Sequence, residues 1–171
     1  MPEIVYPKMM RSYGAGGLVL CGAVVIILTA LGFEHWGGYA PCPLCLQQRY
    51  AYYASIPLLA LALVLVAAGY GRIAAALFVA VSLAFLLNAA LGLYQAGAEW
   101  KFWQGPTGCA AAGPLSRNAG DLLKDLATTR VVRCDEAAWR LLGLSFAGWN
   151  TVCSLALAGG AVLAALGTSR R

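Results

Sequence analysis

Charged residues are scarce in this sequence of 171 residues. Asp, Glu, Lys and Arg together make up 11% of it, whereas an ordinary soluble domain carries about 25%. Hydrophobic residues make up 61%. A soluble chain of this length could not bury that much apolar surface in one core, so the composition excludes an ordinary soluble domain and favours an integral membrane protein.

Clusters of basic residues are also missing. The twelve Lys and Arg give a formal net charge of +5, but they are scattered, without a basic run or a basic face interleaved with aromatic residues. This pattern argues against nucleic-acid binding. The sequence also lacks a Cys-x-x-Cys-His motif and a dinucleotide-binding fingerprint, which argues against a covalently attached haem and a nicotinamide cofactor.

Four long stretches contain no charged residue at all. They are residues 12–33, 50–71, 73–98 and 141–169. Each is long enough to cross the hydrocarbon core of a bilayer, which takes about 20 apolar residues, and within lipid only a helix satisfies its own backbone. The first stretch could be a cleaved signal peptide, but its length and the lack of a clear cleavage site favour a retained helix.

We therefore predict an all-α fold, an integral membrane four-helix bundle in which residues 1–171 form a single membrane domain. The predicted helices lie at about residues 12–33, 48–69, 73–96 and 142–167. Four spans place both termini on one side, and the cations of the terminal segments, including Arg11 and Arg171, assign that side to the cytoplasm. Two loops, at about residues 34–47 and 97–141, then face the outer side.

The six cysteines fall into two groups. Cys21 and Cys153 lie within charge-free stretches, where a free cysteine is usually a small buried hydrophobic residue. The other four lie in the predicted outer loops, two in each, and disulfides persist outside the cytoplasm.

The first outer loop contains a Cys-x-x-Cys motif, formed by Cys42 and Cys45. A bridge across two residues closes a very small ring and gains little stability, whereas this spacing is typical of a reactive dithiol. Cys109 and Cys134 in the second outer loop are compatible with a structural disulfide. A zinc site of four thiolates is the other alternative, although such sites usually use two short Cys-x-x-Cys knuckles.

Arg49 lies four residues after Cys45, on the same face of a helix that begins near that cysteine. A fixed cation there stabilises a thiolate or binds a quinone oxygen. The alternative is an interfacial arginine whose side chain extends to the lipid headgroups. A reactive dithiol at the membrane surface must pass on two electrons, and by elimination the natural acceptor is a lipid-soluble two-electron carrier.

These motifs resemble a known family. The segment Pro-Cys-Pro-Leu-Cys-Leu-Gln-Gln-Arg at residues 41–49 looks like the signature of the bacterial disulfide bond formation protein B (DsbB) family. Cys-Asp-Glu-Ala-Ala-Trp at 134–139, Gly-Leu-Ser at 143–145 and Trp-Asn at 149–150 are similar to that family's approach to its fourth helix. The resemblance implies a multi-pass protein of the bacterial inner membrane that oxidises a periplasmic DsbA-like thiol oxidase and reduces a quinone, with ubiquinone as the expected species.

The resemblance also implies roles for the cysteines. Cys109 would be attacked by the reduced thiol oxidase, Cys134 would then exchange with Cys42, and Cys45 would face the quinone as a thiolate beside Arg49. Reversed electron flow, as in vitamin K epoxide reductase, is an alternative, but the position of the Cys-x-x-Cys motif in the first outer loop speaks against it. A non-catalytic membrane protein with structural disulfides or zinc is the alternative from another class.

The sequence departs from the family at one position. Family members often carry a histidine near the end of the third helix, whereas this chain has Gln95 in that stretch and no histidine. We include Gln95, with Gln48, among the candidate quinone-binding residues. A glutamine donates a hydrogen bond but does not carry a proton at neutral pH, so any proton-transfer role of Gln95, Glu99 or His35 is left open.

Overall fold

The computed structural model describes residues 5–106 and 133–168. Within them the chain forms four long helices. They are α1 (Val5–His35), α2 (Pro43–Ala67), α3 (Gly71–Glu99) and α4 (Phe146–Thr168). All four are long and apolar enough to cross a membrane, the first of these candidate spans beginning at Ser12. The predicted all-α membrane bundle is confirmed, with one short two-stranded hairpin added before α4.

Helix α2 begins at Pro43, about five residues before its predicted start at about residue 48. Cys42 is its N-cap: the backbone there is extended, and its Sγ accepts a hydrogen bond from the Cys45 amide at 3.1 Å. Proline suits the next position because its fixed φ is helical and its missing N–H would have had no partner there. Cys45 therefore lies in the first turn of α2 rather than in the preceding loop.

Small residues allow the helices to approach closely. A Cβ on Gly160 of α4 would lie 2.6 Å from a methyl group of Val19 in α1, and a Cβ on Gly92 of α3 would lie 2.6 Å from Thr151 Oγ1 in α4. Large apolar side chains such as Leu87 project outward instead. This arrangement is typical of membrane bundles, in which close van der Waals packing between helices replaces the hydrophobic effect.

Consecutive helices run in opposite directions, which brings four helix ends together. Helices α2 and α3 are joined by a tight turn in which Gly69 adopts a φ of +88°, a conformation that favours glycine. The end of α1, the start of α2, the end of α3 and the start of α4 consequently meet at one end of the bundle. The described residues of the two predicted outer loops lie at this end.

A short hairpin leads into α4. Strand β1 (Arg140–Leu141) pairs antiparallel with β2 (Leu144–Ser145). Leu142 and Gly143 between them both have positive φ values, 53° and 84°, as a two-residue type I′ turn requires. The Trp149 indole donates to the Leu141 carbonyl at 3.1 Å, so the hairpin is tied to the first turn of α4.

Candidate active site

Cys42 and Cys45 form a disulfide at the start of α2. Their Cα atoms are 5.0 Å apart. Cys42 is 3% exposed, and Cys45 is partly buried. The structure thus brings the two cysteines of the Cys-x-x-Cys motif together as an oxidised pair.

The side-chain amide of Gln95, near the end of α3, lies against this disulfide. Its Nε2 is 3.4 Å from Cys42 Sγ and 3.3 Å from Cys45 Sγ. The same nitrogen donates to Oε1 of Glu99 at 3.3 Å, one turn further along α3. Gln95 therefore offers N–H groups to both sulfurs and to a carboxylate, and it is buried at 3% exposure.

A chain of side-chain hydrogen bonds fixes the direction of the Gln95 amide. Its Oε1 accepts from Gln48 Nε2 at 2.8 Å, and Gln48 Oε1 accepts from Asn150 Nδ2 at 2.6 Å. Asn150 Oδ1 in turn accepts from the Tyr52 hydroxyl at 2.7 Å. These hydrogen bonds link α2, α3 and α4, and they satisfy amide groups that would be costly to leave unpaired within a membrane.

Arg49 forms an ion pair with Glu34, joining its Nη1 to the Glu34 Oε2. Its side chain is 13% exposed and that of Glu34 is 28% exposed. The guanidinium is thus fixed by a carboxylate at the end of α1, on the side of α2 that also carries Cys45. This placement favours the interpretation of Arg49 as a site residue over that of an arginine reaching for headgroups.

A cavity of about 450 Å³ opens beside the disulfide. Its polar walls include Cys45, Gln48, Arg49, Gln95 and Glu99. The remainder of the lining is mainly apolar and includes Val25, Ile26, Ala30, Phe33, Trp139 and Phe146. A mostly apolar cavity of this size with a few convergent polar groups is typical of a site for a small organic cofactor.

Cys134 packs directly against the first cysteine pair. It is 2% exposed and forms a buried cluster with Cys42, against which Cys45 and Leu44 also pack. Cys134 is itself disulfide-bonded. Cys109, the other predicted site cysteine of the second outer loop, lies outside the described residues.

Asp135 anchors the segment that carries Cys134. Arg133 donates to both of its carboxylate oxygens, at 3.0 and 2.9 Å, and Lys101 Nζ lies 3.0 Å from Oδ2 and 3.0 Å from the backbone oxygen. These hydrogen bonds, first from Arg133 and then from Lys101, lower the pKa of Asp135 to about 2. The ion pair of Asp135 with Lys101 connects the segment around Cys134 to the residues that directly follow α3.

Comparison with known proteins decides the family. The sequence model for disulfide bond formation protein DsbB matches residues 13–164 of the chain. The chain belongs to the DsbB family. The resemblance inferred from the cysteine motifs is confirmed, and the chain is a disulfide-forming, multi-pass membrane protein.

Curated DsbB relatives match along most of their length. Disulfide bond formation protein B of Methylococcus capsulatus is 32% identical over 151 residues, which is 82% of this chain and 85% of the relative. The protein of the same name from Verminephrobacter eiseniae is 31% identical over 159 residues, covering 87% and 82%. That from a Polaromonas species is 29% identical over 153 residues, covering 82% and 83%. No solved structure matches the chain.

Two residues of this DsbB-family site were not predicted from the sequence as parts of it. Asn150 continues the hydrogen-bond chain from Gln48, and Glu34 pairs with Arg49. A signal for Asn150 was present, since an amide within a charge-free stretch needs a partner from another helix. Glu34 carried no comparable signal, because a carboxylate directly after a membrane span is unremarkable in sequence.

Proposed function

We propose that the chain is a protein dithiol:quinone oxidoreductase of the bacterial inner membrane, with both termini in the cytoplasm. It reoxidises a periplasmic DsbA-like thiol oxidase and passes two electrons to a membrane quinone, expected to be ubiquinone. One observation carries the proposal: the Cys42–Cys45 disulfide lies at the wall of a largely apolar cavity, with Gln95 and Arg49 beside it.

The residues that line the cavity suit a quinone. A quinone headgroup is planar and presents two carbonyl oxygens, which only accept hydrogen bonds. Arg49 supplies a donor at one wall, and the amide of Gln48 or Gln95 would supply another. The apolar side chains from α1, including Val25 and Ile26, provide a surface for the ring and for a lipid-like tail. When bound, the quinone would supply an acceptor for two electrons and two protons.

The buried contact between Cys134 and Cys42 supports exchange between the loops. In the proposed sequence, a thiolate of the reduced partner attacks Cys109 and displaces Cys134 as a thiolate. The second partner thiol then releases the partner as a disulfide, and Cys134 attacks Cys42 and displaces Cys45. Attack by Cys109 on Cys134 restores the second-loop disulfide and leaves Cys42 and Cys45 reduced. Two electrons then pass to the quinone, and the Cys42–Cys45 disulfide forms again.

The direction of electron flow follows from the potentials. A DsbA-type oxidase has a potential near −120 mV, so an acceptor must be more positive, and each 30 mV of difference contributes about 1.4 kcal/mol. The quinone would provide this driving force, and the protein would provide the path. Zinc is less well supported, because sulfurs joined in a disulfide are not the thiolates that a zinc site requires.

Turnover of the purified protein tests the proposal. We expect Cys45→Ser to abolish the reduction of ubiquinone by a reduced DsbA-like protein. Cys21→Ser is the matched control, because Cys21 is a free, exposed cysteine on α1, and it should retain full turnover. If Cys45→Ser also turned over normally, the cysteine pair would be structural and the proposal would be wrong.

Two further measurements address the cofactor and the orientation. Anaerobic addition of ubiquinone to reduced protein should produce a thiolate–quinone absorbance band that Cys45→Ala lacks. In intact cells, a membrane-impermeant thiol reagent should reach reduced Cys42 or Cys45 from the periplasmic side. Labelling from the cytoplasmic side alone would contradict the proposed orientation.

A further inference from the structure

Glu99 is a buried carboxyl group at the site, and the sequence leaves its role open. It is the last residue of α3, it is 7% exposed, and it lines the same cavity as Cys45. Its Oε1 accepts from Gln95, the amide that also contacts both sulfurs. The Ser145 hydroxyl lies near the carboxylate, but Oε2 has no hydrogen-bond partner among the residues that the structure describes.

One amide group lies between two groups that can carry negative charge. The Gln95 Nε2 lies 3.3 Å from Cys45 Sγ and 3.3 Å from Glu99 Oε1. While the disulfide is intact, the sulfur is neutral, and of these two groups the carboxylate alone is charged. After reduction, the two N–H groups of this amide would lie between a Cys45 thiolate and the carboxylate, and two like charges this close in a partly dehydrated site oppose each other.

We propose that Glu99 is the proton-carrying residue of this site: it takes up a proton when the Cys42–Cys45 pair is reduced and gives it up in the cavity when the pair is reoxidised. This inference rests on the proposed function, because it supplies one of the two protons that a quinone needs. The unpartnered Oε2 is the atom that would hold the proton.

The proposed steps balance in atoms, electrons and charge. On reduction, the disulfide and the Glu99 carboxylate take up two electrons and two protons, which gives a Cys42 thiol, a Cys45 thiolate and a Glu99 carboxylic acid. On reoxidation, the same three groups give two electrons and two protons to one quinone. One quinol, the disulfide and the Glu99 carboxylate result. Glu99 thus ends each cycle unchanged.

Several charged groups surround Glu99 and would influence its protonation. Arg140 of β1 is the nearest cation, with its Nη2 donating to the Glu99 backbone oxygen at 3.3 Å. The other charged side chains at the walls of the cavity are Glu34, Arg49, Arg133 and Glu136. Among the residues that the structure describes, Gln95 alone makes hydrogen-bond contacts to both the carboxylate and the sulfurs, so Glu99 is the described carboxyl group coupled most directly to the dithiol.

The number of protons taken up on reduction tests this role without quinone or partner. In a chain carrying Cys109→Ser and Cys134→Ser, only the Cys42–Cys45 pair exchanges with a dithiothreitol redox buffer. After correction for the two protons that dithiothreitol itself releases near neutrality, we expect the equilibrium constant of the protein half-reaction to change about a hundredfold per pH unit, as for two protons. Glu99→Gln should lower this to about tenfold, as for one proton, because the thiolate forms without a second proton being bound. Glu99→Ala should give the same result and serves if the glutamine variant does not fold.

Glu136→Gln is the matched control, since it removes another carboxylate at the wall of the same cavity, one that is paired with Arg133 and not with Gln95. We expect it to retain the two-proton dependence. The same dependence with and without Glu99 would overturn the inference, as would a drop to one proton in Glu136→Gln alone. Because the measurement needs neither quinone nor thiol oxidase, its failure would leave the turnover test of the proposed function untouched.

Discussion

The guanidinium of Arg49 is paired with the carboxylate of Glu34, so this cation at the wall of the cavity is held by α1. Arg49 is one helical turn beyond Cys45 on α2, and Glu34 is near the end of α1. The ion pair therefore connects the two helices on either side of the first outer loop. Because both side chains line the cavity, Glu34 is placed to orient Arg49 toward a ligand.

A double-mutant cycle should show that Glu34 acts through Arg49. We expect Arg49→Gln to raise the KM for ubiquinone about tenfold or more, because a charge-assisted hydrogen bond is lost. Glu34→Gln should raise it only about threefold, with little change in kcat. The double variant should resemble Arg49→Gln, because residues of one network are not additive. Additive effects in steady-state kinetics would mean that the two residues act independently.

Asn150 should be needed for both stability and turnover. Replacing it with Ala leaves Gln48 Oε1 without its donor and removes the nearer of two hydrogen-bond partners of the Tyr52 hydroxyl, so we expect a loss of about 1 kcal/mol in detergent unfolding. The Gln95 amide would lose part of its orientation, which should slow quinone reduction several-fold. Val152→Ala, an exposed position on the same helix, is the control. Equal losses in the two variants would contradict a specific role for the hydrogen-bond chain.

The four spans could be predicted from the sequence because the lipid imposes a simple rule. A stretch without charge that is long enough to cross a bilayer must be helical, whatever it packs against. The start of α2 could not be predicted from that rule. It is set by the Cys42 cap and by Pro43, local features that lie outside the charge-free stretch.

The candidate site was predictable where its residues are neighbours in sequence. Cys42, Cys45 and Arg49 lie within two turns of one helix, so their relative placement follows from helix geometry. The contacts of Gln48 with Gln95 and Asn150 connect residues far apart in the chain. Such contacts depend on how the helices rotate against one another, which a single sequence does not specify.

Gly92 should tolerate no larger residue, because α3 and α4 meet at this position. A Cβ there would lie 2.6 Å from Thr151 Oγ1 and 3.0 Å from the Ala147 carbonyl oxygen, so Gly92→Ala should cost about 1–3 kcal/mol by overpacking. At Gly159, a Cβ would meet nothing within 4 Å, and Gly159→Ala should change stability by about 0.5 kcal/mol or less. Unfolding in mixed micelles measures both. If Gly92→Ala cost no more than Gly159→Ala, the close approach of α3 and α4 at Gly92 would not limit the size of the side chain there.

Asp135 should keep Cys134 protected at all ordinary pH values. Its pKa falls from 3.8 to about 2 through hydrogen bonds from Arg133 and Lys101. Because the folded protein lowers this pKa, the ion pairs contribute their full stabilisation at pH values above the ordinary pKa of 3.8. That stabilisation is lost only as the pH falls through about 2. In reduced protein, Asp135→Asn should therefore make alkylation of Cys134 several-fold faster. After correction for thiol ionisation, the ratio of the alkylation rates of variant and wild type should stay constant from about pH 5 to 8.

Glu136→Gln is the control, since its exposed pair with Arg133 should contribute little. If Asp135→Asn left alkylation unchanged, or if the ratio varied across this range, the ion pairs of Asp135 would not be what protects Cys134.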